Sequence, residues 1–168
     1  MKSIIKNSLL IFLLAVSYIS FSQDKSMSEI EDMKYMVEEE KMARDVYEYL
    51  GDKWNLRVFN NIKQSEQRHM EMMQNLLEVN KIDYTISKEK GVFFNKELQK
   101  IYDALITRGS TSVLEAIEVG KLIEKKDIED LEGAIRNSQD DFAKQVYSYL
   151  LKGSQNHLRA FNRQLSRY

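Results

Sequence analysis

Phe59-Asn60-Asn61-Ile62-Lys63-Gln64-Ser65-Glu66-Gln67-Arg68-His69-Met70-Glu71-Met72-Met73-Gln74-Asn75-Leu76 is the stretch that decides how this chain reads. Phe59, Ile62, Glu66, His69, Met73 and Leu76 follow the three-four alternation of a helix face turned towards a core. Glu66 and His69 stand three residues apart, so a carboxylate and an imidazole share that face one turn from each other. Burying both is costly unless something pairs with each, and a metal ion would do so. An E-x-x-H arises by chance in any Glu-rich helix. It needs partners on other helices.

The rest of the chain supplies the helices. Pro is absent and Gly is sparse, so helices can run long. A first helix is expected over Ser28–Leu50, with Ser28 and Glu31 as a capping box and Gly51 as a stop. Its inward stripe is Met33, Met36, Glu40, Ala43, Tyr47 and Leu50; Glu38 and Glu39 fall on other faces and read as solvated. The second helix covers about Arg57 to Asn80. Residues 81–95 lack helical period, Ile82–Ile86 reads as extended, and a short helix follows near Lys96–Thr107. A third long helix starts near Thr111 and runs to about Lys125, with Asp127 recapping a further segment over Ile128–Arg136. The fourth spans about Asp141–Leu165, after a turn over Asn137–Asp141.

Ionisable residues on core-facing stripes are the candidates for chemistry. The first helix offers Glu40, the second Glu66 and His69. The third offers Glu118, with Leu114 and Leu122 four residues to either side, and Glu115 as second choice. The fourth offers His157, on the line Tyr147, Leu150, Ser154, His157, Phe161. Taken singly, each is more often a paired or hydrogen-bonded core residue than a ligand. Five together, drawn from four helices, point to a metal site. Carboxylate and imidazole without thiolate suit iron, with manganese as the other choice. The Met70, Met72 and Met73 run reads as adaptable packing.

Composition excludes several classes. The 168 residues carry 25 Lys and Arg against 26 Asp and Glu, a net charge of −1, which argues against a nucleic-acid or polybasic membrane surface. With no Cys, thiolate metal sites, cysteine catalysis, disulfides and a rubredoxin-type electron donor are all excluded. Residues 1–22 read as a signal peptide: Lys2 and Lys6, an apolar run from Leu9 to Ile19, then Ser20-Phe21-Ser22 before Gln23. Cleavage after Ser22 would leave one domain, 23–168, exported to the periplasm or secreted, with no membrane contact thereafter.

Glu40-Lys41-Met42-Ala43-Arg44-Asp45-Val46-Tyr47 resembles the E-x-x-A-R-x-x-Y signature of rubrerythrin-like and ferritin-like proteins. Together with Ser65–Met70, Glu118-Val119-Gly120, Asp127–Leu131 and Gly153–Phe161, it is similar to an uncharacterised ferritin-like group catalogued as domain of unknown function 2202. That resemblance covers about Met33 to Leu165. It implies an all-α fold, a ferritin-like four-helix bundle with a long crossover between its second and third helices. By the same resemblance, Glu40, Glu66, His69, Glu118 and His157 take the ligand positions of a di-iron site, with Glu66 and Glu118 as bridges. One departure stands out: the rubrerythrin pattern has a second E-x-x-H on the last helix, and here its Glu is Ser154. One iron or two, completed by water or Glu115, therefore both remain readings.

The reactions implied are ferrous-iron oxidation and peroxide reduction, with oxygen or peroxide as partner. Tyr47 could donate a hydrogen bond or an electron, or simply fill core, and Arg44 and Arg68 could steady the ligand carboxylates. Homodimers are common among such bundles. The competing expectation is a non-catalytic helical module for envelope stress or protein interaction, with no metal or a single structural one.

Overall fold

The computed structural model describes residues 26–168. Within them the chain forms five helices and no strand: α1 (Met27–Trp54), α2 (Arg57–Val79), α3 (Lys96–Gly109), α4 (Val113–Asn137) and α5 (Asp141–Leu165). The expected signal peptide lies outside the described residues. Four of the five helices begin on a side-chain cap that satisfies amides left over at a helix start. Ser26 Oγ accepts from the Glu29 amide, Asn95 from Glu97 and Leu98, Ser112 from Glu115, and Asp140 from Phe142 and Ala143.

Three boundaries differ from the sequence expectation. The cap of α1 is Ser26 in place of Ser28, and the helix runs through Gly51 to end at Asn55, whose φ of 50° is the left-handed stop. Gly51 stays helical because its missing Cβ admits α2; a Cβ there would lie 3.0 Å from Asn60 and 3.1 Å from Phe59. α4 is continuous across Asp127, which is buried inside the fold and does not recap a new segment. Ile82–Ile86 lies outside every helix, as its lack of helical period predicts.

The connections after α1 and α4 are short, so α2 returns along α1 and α5 returns along α4. These two hairpins pack face to face through α2 against α5 and α1 against α4, and α3 lies against α1 and α4. The crossover carrying α3 is held by the outer flank of α1. Lys41, fully buried, places Nζ 2.7 Å from Asp45 Oδ2 and donates to the Glu89 and Val92 carbonyls at 2.9 and 3.2 Å. Glu38 accepts from the Phe94 and Asn95 amides, both at 2.8 Å. Glu38 is thus buried by the crossover and Glu39 by the bundle, so neither is the solvated residue that helix phase alone suggests. A single-helix pattern cannot show a surface that a distant loop will cover.

Buried apolar residues fall into two clusters. One joins Val46, Tyr47, Leu50, Phe59, Ile62, Ile117, Ile123 and Phe161; the other joins Met33, Met36, Met73, Leu76, Leu131, Val146, Tyr147 and Leu150. Between them, in each long helix, comes a buried polar step: Glu40 in α1, Glu66 and His69 in α2, Glu124 and Asp127 in α4, Ser154 and His157 in α5. The core is therefore divided by one transverse polar layer.

Candidate metal centre

Each long helix carries its polar residues into the layer by the same three-four stepping that carries its apolar ones. Glu66 sits at the middle. Its Oε2 lies 2.9 Å from His69 Nδ1, and its Oε1 lies 2.8 Å from His157 Nδ1. Glu40 Oε2 approaches His69 Nδ1 at 3.4 Å from one side, and Glu124 Oε2 approaches His157 Nδ1 at 3.5 Å from the other. The imidazoles stack with centroids 5.6 Å apart and planes 26° off parallel.

These close approaches do not have hydrogen-bond geometry. His69 Nδ1, His157 Nδ1 and Glu66 Oε1 are all buried without a hydrogen-bond partner. Orphaned polar atoms inside a packed helical core are costly and rare, and a group that pairs with them would be stabilised there. Among the described residues, two sets of three donors each converge to within 4.8 Å: Glu40, Glu66 and His69, and Glu66, Glu124 and His157. Each set could hold a metal ion, with Glu66 offering one oxygen to each. A cavity of about 10 Å³ beside them is lined by Glu39, Glu40, Ala43, Glu66, Ile123, Glu124 and Asp127. That is room for about one water-sized species.

Electrostatics follows from crowding five ionisable groups in a dry space. Burial works against the His69 imidazolium, yet Glu40 and Glu66 carry its pKa up to about 11; His157 is carried up to about 9 against burial by Glu124 and Glu66. Burial pushes Glu40 up to about 7 despite the pull of His69, and pushes Glu124 up to about 8 with the Glu66 charge adding to it. Burial would raise Glu66 too, but the two imidazoles draw it down to about 2.

Tyr47 is fully buried and donates to Glu124 Oε1 at 2.6 Å, so its hydroxyl orients that carboxylate. Its ring packs with Phe59 and Phe161 at centroid distances of 5.7 and 5.5 Å, forming an apolar floor under the layer. On the α5 side, Gly153 leaves space for the His69 ring; a Cβ there would stand 2.5 Å from His69 Nε2.

Of the residues singled out from sequence, the structure brings Glu40, Glu66, His69 and His157 together. Glu118 is elsewhere, half-buried on the flank of α4 with its carboxylate 3.3 Å from Lys121 Nζ. Leu114 and Leu122, which made that line look inward, are exposed. Glu115 is further away still, paired with Arg108 at 2.6 Å. The bridging place expected of Glu118 is not filled by it, and Glu124 belongs to one donor set only. Arg44 binds Asp45 and Gln67 and does not touch the ligand candidates, and Arg68 is exposed. Glu124 and Asp127 were missed, although Ile117, Gly120, Glu124, Asp127 and Leu131 step in the same three-four alternation as the other stripes.

Three comparisons bear on kinship. An uncharacterised protein of Methanocaldococcus jannaschii, MJ0754, is 44% identical over 147 residues, covering 87% of this chain and 80% of that protein. The crystal structure of hypothetical protein MJ0754 from Methanococcus jannaschii superposes with a TM-score of 0.85 at 44% identity, covering 87% of this chain and 84% of that one. Residues 29–168 match the family model described as an uncharacterised protein domain, DUF2202, and the chain belongs to that family.

Proposed function

We propose that α1, α2, α4 and α5 form a ferritin-like four-helix bundle whose polar layer binds iron, two ions per chain, for ferrous-iron oxidation or peroxide reduction. The observation that carries this reading is the pair of buried imidazole Nδ1 atoms aimed at Glu66 without hydrogen-bond geometry. A donor set of carboxylates and imidazoles suits iron or manganese, and the residues present fit such ions. Glu40 and His69 would hold one, Glu124 and His157 the other, with Glu66 shared between them. Bound iron would supply one electron per ion on going from ferrous to ferric, so two ions would reduce one peroxide, with two protons, to two waters.

The protein's own share is positioning and exclusion. Tyr47 fixes Glu124, and the rings of Tyr47, Phe59 and Phe161 keep the layer dry on one side. The cavity of about 10 Å³ beside the donors is the space in which an ion or a water would sit. Export is part of the same proposal, carried by residues 1–22, and the N-terminal mass of protein recovered from the periplasm or medium tests it.

The metal reading is tested by loading the mature protein with ferrous iron without oxygen and measuring iron per chain and then oxygen or peroxide consumption. About two irons per chain, lost in Glu66→Ala and His69→Ala variants that keep their helical circular dichroism, support it. No iron in the wild type, with those variants as stable as the parent or more so, overturns it and favours the metal-free interaction module. The feature that speaks for that second reading is Ser154, a neutral residue where the resemblance asks for a carboxylate.

A further inference from the structure

The two hairpins repeat one another at the polar layer. Glu40 in α1 matches Glu124 in α4, and His69 in α2 matches His157 in α5, each at the same step of its stripe. The match fails at two positions, and it fails in compensating directions. Where α2 has Glu66, α5 has Ser154; where α1 has Ala43, three residues after Glu40, α4 has Asp127, three residues after Glu124.

The structure puts these two exceptions side by side. Ser154 is fully buried; its hydroxyl donates to the Leu150 carbonyl at 3.0 Å and lies next to the Asp127 carboxylate. Asp127 is 7% exposed and lines the same cavity as Glu40, Glu66 and Glu124. The charged groups that act most strongly on it are Glu40, Glu39 and Glu124, all acids. A buried carboxylate that lines one cavity with Glu40, Glu124 and a Glu66 whose Oε1 lacks a partner calls for a cation. A Ser at 154 is small enough to leave Asp127 that space; a Glu would contend for it.

We propose that Asp127 is the fourth carboxylate of the two-ion site, supplied from α4 in place of the one that α5 lacks. The site is then not short of a ligand. The carboxylate has crossed from one helix of the hairpin to the other, with Ser154 as the vacated position. This rests on the metal reading above and says which residue completes it.

The test counts Co²⁺, a redox-silent probe, by equilibrium dialysis and elemental analysis. Wild type is expected to bind two ions per chain. Asp127→Asn, which keeps the shape and removes the charge, and Asp127→Ala are each expected to retain one, or to bind the second at least tenfold more weakly. Asp127→Ala combined with Ser154→Glu is expected to recover the second ion, because the carboxylate returns from α5 into the space Asp127 vacates. Two ions bound with unchanged affinity by Asp127→Asn overturn the assignment while leaving the metal reading intact, as does a combined variant no better than Asp127→Ala alone. A wild type that binds no ion overturns both.

Discussion

Gly153→Ala examines the site without touching a ligand. The added Cβ would stand 2.5 Å from His69 Nε2 and 2.6 Å from Cε1, where ordinary contact begins at 3.4 Å, so the ring must retreat by about 0.9 Å. It has nowhere easy to go: Glu40 and Glu66 lie beside Nδ1, the His157 ring is stacked on it, and Tyr149 meets it edge-on. Metal–ligand distances tolerate only about ±0.2 Å, so a displacement several times larger removes His69 from its ion. Misplacing a ligand through its supports typically costs 10–100-fold in affinity, about 1.4–2.7 kcal/mol. The metal-free fold should respond differently. Ala favours a helix interior over Gly by about 1 kcal/mol, which offsets much of an overpacking cost of roughly 1–3 kcal/mol. Calorimetric titration with Co²⁺, alongside metal-free thermal melts, should therefore show a large loss of affinity with a small change in stability. In a His69→Ala background the ring is gone, and Gly153→Ala should become neutral or stabilising by about 1 kcal/mol. Wild-type affinity in Gly153→Ala, or equal thermal effects in both backgrounds, would refute the placement of His69 as a ligand held against α5.

Tyr47→Phe removes the 2.6 Å donor to Glu124 and should cost about 1–2 kcal/mol of stability and 10–100-fold in affinity for the ion on the Glu124 side, read by melts and titration. The pH trends of metal-free and loaded protein should diverge. His69, His157, Glu124 and Glu40 have pKa values raised to about 11, 9, 8 and 7, so folding strengthens their hold on protons. Their contribution is complete below the unfolded values near 4.5 and 6.5 and is lost as pH rises through the folded ones; Glu66, lowered to about 2, acts oppositely and only under acid. Metal-free Tm should fall between pH 5.5 and 8.5 while the Tm increment from Co²⁺ grows, and a metal-free Tm that rises over this range would contradict the layer's electrostatics. Lys41→Met should cost about 3 kcal/mol, the low end for a broken buried pair, because Arg44 still holds Asp45 at 2.7 Å. Hydrogen exchange should show the Gly91, Phe94 and Asn95 amides released, with Co²⁺ stoichiometry unchanged.

The polar layer is costly to the fold, and binding an ion there would offset that cost. A helical core of this size would be more stable with apolar residues at Glu40, Glu66, His69, Glu124, Asp127 and His157, since buried ion clusters seldom recover their desolvation. The chain instead arranges apolar clusters on both sides of the layer, so that the helices are fixed above and below it and the polar side-chain tips inherit that rigidity. Gly120 belongs to the same design: a Cβ there would collide with the Phe161 ring, so the bare backbone lets the ring close under the layer beside Tyr47.

Most of this could be read from the chain because α1, α2 and α5 step 3, 4, 3, 4 through apolar and polar residues alike. Glu40, Glu66, His69 and His157 fell on those stripes and were brought together. α4 was misread for a definable reason. Leu114, Glu118 and Leu122 are spaced four and four, and each such step advances a helix by about 40° beyond a full turn, so that row winds off the buried face. It gained apparent weight from two leucines, which the structure leaves exposed. The true stripe, Ile117, Gly120, Glu124, Asp127, Leu131, steps correctly, but three of its five residues are Gly, Glu and Asp, and hydrophobicity alone scores it as the wet side. Glu38 and Glu39 were misread for the complementary reason: what buries them comes from the crossover and from the opposite hairpin, and no local period reports a partner so far along the chain. In α4 the error lay in taking apolarity as the test of burial, whereas for Glu38 and Glu39 it lay in trusting the phase of a single helix. On α4, where charge itself is buried, the phase of the helix is the better guide, and it is the phase that finds Asp127.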